Sequence, residues 1–372
     1  MRDEELSRGV YSSIQDTQLK YWEKIRHPFV AGLELTPKCN LQCVHCYMKD
    51  YPTQQLLPTD KWKFIIDKLF DAGILVLYMT GGEILSRADF SDIYVYAKKK
   101  GFIIELLTNI TMLTPEIVKI FEEYPPATVS ISVYGISART YERVTGIRGS
   151  FEKFLAGVNM LRNADLDMEL KFIGLRENYM DFFEAEDFAI QNGGKFKYNF
   201  EIFPTLQGSS EAIKHRLANE EILSIETQYE QTIRVFANNI CNDNCFINAD
   251  KVPVFTCNVA STLCYIDSLG YVSPCNKMRL KSYNIMEHDL SYIWQKYIEE
   301  YAYMVAPQDY VCAKCPRIHI CSPCPIINYL STGSYTKPCK EYCELSLLRT
   351  EEFSKRKYDK YRTNINIALT NT

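Results

Sequence analysis

An α/β fold built on a parallel sheet is what this sequence predicts, and three observations predict it. Six short apolar runs, rich in branched or aromatic residues, recur between Val30 and Phe203. Amphipathic helical stretches lie between them, and the links are short. Strands and helices that alternate in this way form a parallel sheet with helices outside it.

The strand-like runs are Val30–Leu35, Ile74–Met79, Ile103–Thr108, Thr128–Val133, Met168–Ile173 and Lys197–Phe203. The first helical stretch, Asp60–Phe70, places Trp62, Ile65, Ile66, Leu69 and Phe70 on one face. Ala88–Lys100, Pro115–Tyr124, Phe151–Ala164 and Phe182–Asn192 follow. Pro115 suits a first helical turn, where a missing amide hydrogen costs nothing. Gly73 and Gly101 sit where helices end in glycine. A bridging segment from Leu206 to Thr256 contains a helical stretch, Glu220–Asn238, whose apolar face is Ile222, Leu223, Ile225, Tyr229, Ile233 and Phe236. Packing accounts for that face. A charged helical tail, Glu351–Arg362, runs into a polar Thr/Asn-rich end that reads as disordered.

Composition narrows the class. The 372 residues allow about two domains, and 47% hydrophobic residues can fill their cores. Net charge is −4 with no long basic run, which disfavours nucleic acid as a partner. The N-terminus has no apolar signal core, and no apolar run approaches the ~20 residues of a membrane helix. Fourteen cysteines without a secretion signal point to metal ligation in a reducing cytoplasm, not to a disulfide framework.

Three of those cysteines, Cys39, Cys43 and Cys46, form C-x3-C-x2-C directly after the first strand-like run. Three thiolates can hold three irons of a four-iron cluster and leave the fourth open. Zinc is the alternative, but it favours C-x2-C pairs with a fourth ligand close by. In parallel α/β folds chemistry collects at the C-terminal ends of strands, where this motif falls.

The motif resembles that of the radical S-adenosylmethionine (radical SAM) superfamily. That resemblance implies a partial (β/α)6 TIM barrel, with S-adenosylmethionine (AdoMet) chelated at the open iron and cleaved to a 5′-deoxyadenosyl radical. It implies an external electron donor of flavodoxin or ferredoxin type. It also places an aromatic residue before the last cysteine, near adenine. Here that position is His45, followed after the cysteine by Tyr47; the alternative for His45 is a solvated loop histidine. Gly81-Gly82-Glu83 resembles the family's Gly-Gly-Glu-Pro, with Ile84 in place of proline, and implies that Glu83 meets the methionine ammonium. Asn109 and Ser132, at the ends of the third and fourth strands, are suited to ribose hydroxyls or the carboxylate, or to ordinary strand-end hydrogen bonds.

Eleven more cysteines lie beyond Ile240: Cys257-x12-Gly270-x4-Cys275, then Cys312-x2-Cys315-x5-Cys321-x2-Cys324, then Cys339-x3-Cys343, with Cys241, Cys245 and Cys264 beside them. This pattern resembles the SPASM extension, apart from a spacing of two instead of three before Cys324. The resemblance implies two auxiliary four-iron clusters, making three [4Fe–4S] clusters in all. Cluster one takes Cys257, Cys275 and Cys324. Cluster two takes Cys312, Cys315, Cys321 and a distal cysteine, Cys343 before its rival Cys339. Cys264 completes cluster one or is a small buried hydrophobe. Cys241 and Cys245 are spare thiols or extra ligands. The expected division is an extension over 1–28, a barrel over 29–205, a bridge over 206–256, the cluster domain over 257–348 and a tail over 349–372.

Enzymes that this layout resembles mostly modify peptides or proteins. The expectation is a maturase that joins side chains of a small ribosomal precursor by thioether or carbon–carbon bonds. About 28 residues before the first strand are too few for a leader-binding domain. Leader recognition is therefore expected to need a separate leader-binding protein, the bridging segment, or a short substrate that dispenses with it. A sulfatase-maturase is the alternative, weakened because Asn276 follows Cys275 where that family has a proposed catalytic aspartate, and a carboxamide is no base. Asp267 is the nearby carboxylate. A non-catalytic iron–sulfur electron carrier would leave the open-iron motif without a use.

Overall fold

The computed structural model describes residues 24–51, 56–239 and 252–358, less positions 256, 258, 281, 322 and 356. Cys241 and Cys245 lie outside the described residues. Six parallel strands run β1 (Val30–Thr36), β2 (Val76–Gly81), β3 (Ile103–Thr108), β4 (Thr128–Val133), β5 (Met168–Ile173) and β6 (Lys195–Asn199). They lie side by side in chain order. All seven residues of β1 are buried, as expected of a strand covered on both faces.

The sixth strand ends sooner than its sequence suggests. The Asn199 side-chain oxygen accepts from the Glu201 amide at 2.8 Å, which turns the chain off the ladder. Residues 200–203 then pass irregularly over the end of the sheet.

Helices fill the connections. They are α1 (Thr59–Asp71), α2 (Phe90–Lys99), α3 (Pro115–Glu123), α4 (Ala138–Thr145), α5 (Ser150–Asn163) and α6 (Phe182–Gln191). Trp62, Ile65, Ile66 and Leu69 of α1 are fully buried, each worth about 1.5–3 kcal/mol of burial. Phe70, expected on that face, is half exposed and packs edge-on against Phe102 with Lys100 over its ring. Helix α4 has no counterpart in the sequence reading, although Ser137 caps it by accepting from Thr140 at 3.2 Å.

The bridging helix is two helices, α7 (Asn219–Glu226) and α8 (Glu230–Asn239). The break lets Tyr229 pack against Phe182 and Tyr198, and lets buried Glu226 pair with Arg349. The remaining helices are α9 (Leu290–Tyr297), α10 (Ile318–Cys321), α11 (Pro325–Thr332) and α12 (Lys340–Phe353). Cys343 and the start of the expected tail therefore share one helix, α12, and the boundary expected at 348 falls inside it.

The cysteine-rich segment also contributes to the sheet. Strand β7 (Leu263–Ile266) pairs in parallel with β1, and β8 (Val272–Ser273) returns antiparallel to β7. Tyr265 lies so close to β1 that a Cβ on Gly32 would fall 2.2 Å from its ring. Arg279 donates to Glu34 of β1 at 2.5 Å. These contacts fasten the second cysteine system to the barrel. No helix among the described residues is long and apolar enough to cross a membrane.

Candidate active site

The loop that leaves β1 carries Cys39, Cys43 and Cys46, and two neighbours fix its path. Gln42 and Val44 donate to the carbonyls of Thr145 and Val144 at the end of α4, at 2.8 and 3.0 Å. On the other side the amides of Gly82 and Glu83 donate to Thr36 and Lys38, at 2.7 and 2.8 Å. A Cβ on Gly82 would lie 2.3 Å from the Lys38 carbonyl, so only glycine allows this approach.

All three thiols are free. Burial pushes Cys39 up to about 11, with the charges of Glu83 and Cys46 adding to it. Cys43 rises further, through burial first and then the charges of Cys46 and Cys39. Thiols that oppose one another's ionisation in this way lose their protons to a bound cation. Among the described residues no three His, Cys, Asp or Glu side chains converge as they would on one ion; a four-iron cluster takes one thiolate per iron.

A cavity of about 560 Å³ opens above these thiols. His45, Tyr47, Gly81, Gly82, Asn109 and Ser132 line it together with the three cysteines. The His45 ring packs against Tyr134 at 5.4 Å, and its Nδ1 is buried without a partner. Burial holds this imidazole neutral, lowering it to about 4. It is a packed ring and not a solvated one. Asn109 donates from Nδ2 to Asn40 at 3.0 Å and to the Cys39 sulfur at 3.7 Å.

Glu83 lies behind this wall. It is 1% exposed and does not line the cavity. One carboxylate oxygen accepts from the Leu85 amide at 3.0 Å and the Thr108 hydroxyl at 2.7 Å. The other accepts from the Asn109 amide at 2.7 Å. The carboxylate is turned inward because three donors at the ends of β2 and β3 meet there. It organises the cavity wall without facing the cavity.

The opposite wall escaped sequence reading. Lys171 and Ile173 of β5, Glu201 and Phe203 after β6, and Asn276 and Lys277 after Cys275 complete the cavity. The alternation of Met168-Glu-Leu-Lys-Phe-Ile, buried at every second residue, was the available signal for an inward Lys171. Nothing in the sequence joined Glu201 to Lys277, an ion pair formed between segments far apart in the chain. Asp267 does not reach the cavity. Its Oδ1 accepts from Leu269 and Tyr271, both at 2.9 Å, and its Oδ2 from Tyr51, so it builds the β7–β8 turn.

The remaining cysteines fall into two sets. Cys257, Cys275 and Cys324 act on one another electrostatically. So do Cys312, Cys315, Cys321 and Cys343. Cys339 instead donates to Glu341 at 3.0 Å. Cys264, open in the sequence between a cluster-one ligand and a small buried hydrophobe, feels the charge of neither set. It is fully buried in β7, with its thiol 3.7 Å from the Val30 carbonyl. Strand alternation turns Tyr265, not Cys264, towards Cys275 and Tyr47.

The radical SAM superfamily model matches residues 33–189, which hold the cysteine loop and strands β2 to β5. An AdoMet-dependent heme synthase of Methanosarcina barkeri is 30% identical over 288 residues, which are 72% of this chain and 82% of that protein. The chain belongs to the radical SAM superfamily. A PqqA peptide cyclase of Bradyrhizobium diazoefficiens is 29% identical to this radical SAM enzyme over 156 residues, 41% of the chain and 40% of the cyclase. The crystal structure of Streptococcus suis SuiB bound to precursor peptide SuiA shares the fold, with a TM-score of 0.67 at 18% identity over 90% of this chain and 81% of that one. Family membership brings AdoMet and a four-iron cluster as cofactors. The three thiols on one loop, the cavity they line and the unpartnered Nδ1 of His45 fit both.

Proposed function

We propose that this radical SAM enzyme is a peptide maturase that forms a thioether or carbon–carbon crosslink in a small ribosomal precursor. Cys39, Cys43 and Cys46 hold the cluster that binds and reductively cleaves AdoMet. His45 and Tyr47 pack around adenine, Asn109 and Ser132 serve ribose or carboxylate, and Gly81-Gly82 lets the chain approach the methionine moiety. Cys257, Cys275 and Cys324 hold one auxiliary cluster. Cys312, Cys315, Cys321 and Cys343 hold the other. Cys264 is structural. A flavodoxin- or ferredoxin-type donor supplies electrons.

One observation carries this reading. Asn276 and Lys277, the residues directly after Cys275, line the same cavity as Cys39, Cys43 and Cys46. A substrate held there would border both the radical and an auxiliary cluster, as a bond-forming oxidation needs. The peptide cyclase relative supports a peptide as the substrate. Asn276 in the cavity wall offers no base, which counts against a sulfatase-maturase.

The heme synthase similarity favours a second reading, a tetrapyrrole bearing carboxylates. Lys49 and Lys171 line the cavity, and neither forms a salt bridge among the described residues. The test is anaerobic incubation with AdoMet and reductant, followed by mass spectrometry of the short peptide encoded beside the gene. Hydrogen loss from the peptide supports the maturase. Conversion of an iron tetrapyrrole to heme, with an unchanged peptide, supports the second reading. Absence of 5′-deoxyadenosine under both conditions would overturn each.

A further inference from the structure

We propose that Lys277 is a positioning charge that sets the reduction potential of the cluster held by Cys257, Cys275 and Cys324, with Glu201 as its counterweight. The inference rests on the auxiliary-cluster assignment above and extends it to a residue outside the ligand set.

The Lys277 side chain is largely buried, at 18% exposure, and its ammonium pairs with the half-buried Glu201 carboxylate. The same ammonium lies over the Phe203 ring, 5.1 Å from its centre. Lys277 stands in the turn that Cys275 opens, closed by the Met278 amide donating to the Cys275 carbonyl at 3.0 Å. Lys277 also lines the cavity that holds Cys39, Cys43 and Cys46. Together with its neighbour Asn276 it is what the cysteine-rich segment places there, so it stands in the wall between the two systems.

A fixed cation beside an iron–sulfur cluster stabilises the extra negative charge of the reduced state, and burial weakens the screening that would hide it. Glu201 opposes this effect from the barrel side. Glu201 also borders the second cavity, of about 320 Å³, along with Cys312, Cys321, Cys324 and Cys343. The pair therefore biases cluster one towards accepting an electron while keeping the wall nearly neutral. Phe203 and Glu201 both come from the irregular chain after β6, so barrel residues hold the charge in place.

The experiment is an anaerobic redox titration followed by electron paramagnetic resonance. It uses reconstituted full-length protein carrying Ala at Cys39, Cys43 and Cys46, so that the auxiliary signals stand alone. Lys277→Met should lower one of the two auxiliary midpoints by a factor of about ten in the reduced-to-oxidised ratio, which is 59 mV for one electron. Glu201→Gln should raise the same midpoint, and Lys277→Arg should leave it near the parent value. Unchanged midpoints in Lys277→Met would overturn the proposal. So would equal shifts of both clusters, or a shift in Lys277→Arg as large as in Lys277→Met, since either reports a structural disturbance and not a charge. Iron analysis of the parent protein separates the two levels of the argument. Absence of auxiliary iron overturns the cluster assignment itself, whereas full iron with immobile midpoints overturns only the role of Lys277.

Discussion

The main-chain amide of Asn109 donates to the Glu83 carboxylate at 2.7 Å, and this bond ties the end of β3 to the exit of β2 beneath the cysteine loop. The Asn109 side chain then reaches Asn40 and the Cys39 sulfur. Glu83 thus acts on the cysteine loop through Asn109. A glutamine at this position keeps the shape but presents an amide to three donors, leaving at least one buried group unpaired. That costs about 1–3 kcal/mol. Glu83→Gln should lower thermal stability by that amount in apo-protein melts. In calorimetry of reconstituted protein, AdoMet affinity should fall together with stability. A loss of affinity with unchanged melting would show that the carboxylate contacts the ligand after all.

Gly82 makes the tightest approach in the site, with the Lys38 carbonyl 2.3 Å from where a Cβ would stand. Because the obstructing atom belongs to the main chain of the cysteine loop, Gly82→Ala must move that loop. About four irons should be missing after reconstitution, while the auxiliary clusters remain. Full iron content in the variant would mean that the loop yields without cost.

Burial lowers His45 from 6.5 to about 4, so the folded chain keeps this ring neutral where the unfolded chain protonates it. Between those two values the unfolded state binds the extra proton. Stability contributed by the neutral ring is therefore full above pH 6.5 and is lost as pH falls towards 4. The effect should be about 1–3 kcal/mol. Apo-protein denaturation at pH 7 and pH 4.5 should show it, and His45→Phe should flatten the difference. An equal slope in both proteins would assign the acid sensitivity to other groups.

The six parallel strands were legible because each is a short branched run closed by a helix signal, and β1 is buried along its whole length. Most of the cavity wall was legible for the same reason, since Gly81, Asn109 and Ser132 stand at the ends of those strands. What stayed hidden depended on pairings distant in sequence. Helix α4, which pins Gln42 and Val44, is short and polar. Strand β7 has only four residues and finds its partner over two hundred residues earlier in the chain. The inward turn of Glu83 follows from three donors on two segments, one of them at the end of β3, which no local pattern announces. The spacing of the cysteines left both roles of Cys264 open, because spacing does not report which face of a strand a residue occupies.

The alternation of Leu263-Cys264-Tyr265-Ile266 makes the last prediction. Cys264 and Ile266 are fully buried on one face of β7, while Tyr265 points the other way, onto Gly32 and towards Cys275. A thiol on the core face cannot ligate a cluster on the Tyr265 side without reversing the strand register, which would also expose Ile266. Reconstituted protein should hold about twelve irons, and Cys264→Ala should keep all of them. Loss of the buried sulfur should cost only about 1–2 kcal/mol as a small cavity. Cys343→Ala should lose iron, because Cys343 acts on Cys315 and on the Cys312 and Cys321 thiols around it. Cys339→Ala should retain it, because that thiol is committed to Glu341. Iron and sulfide analysis of the three variants checks the series. Loss of about four irons from Cys264→Ala would return that cysteine to cluster one and require β7 to sit differently against β1.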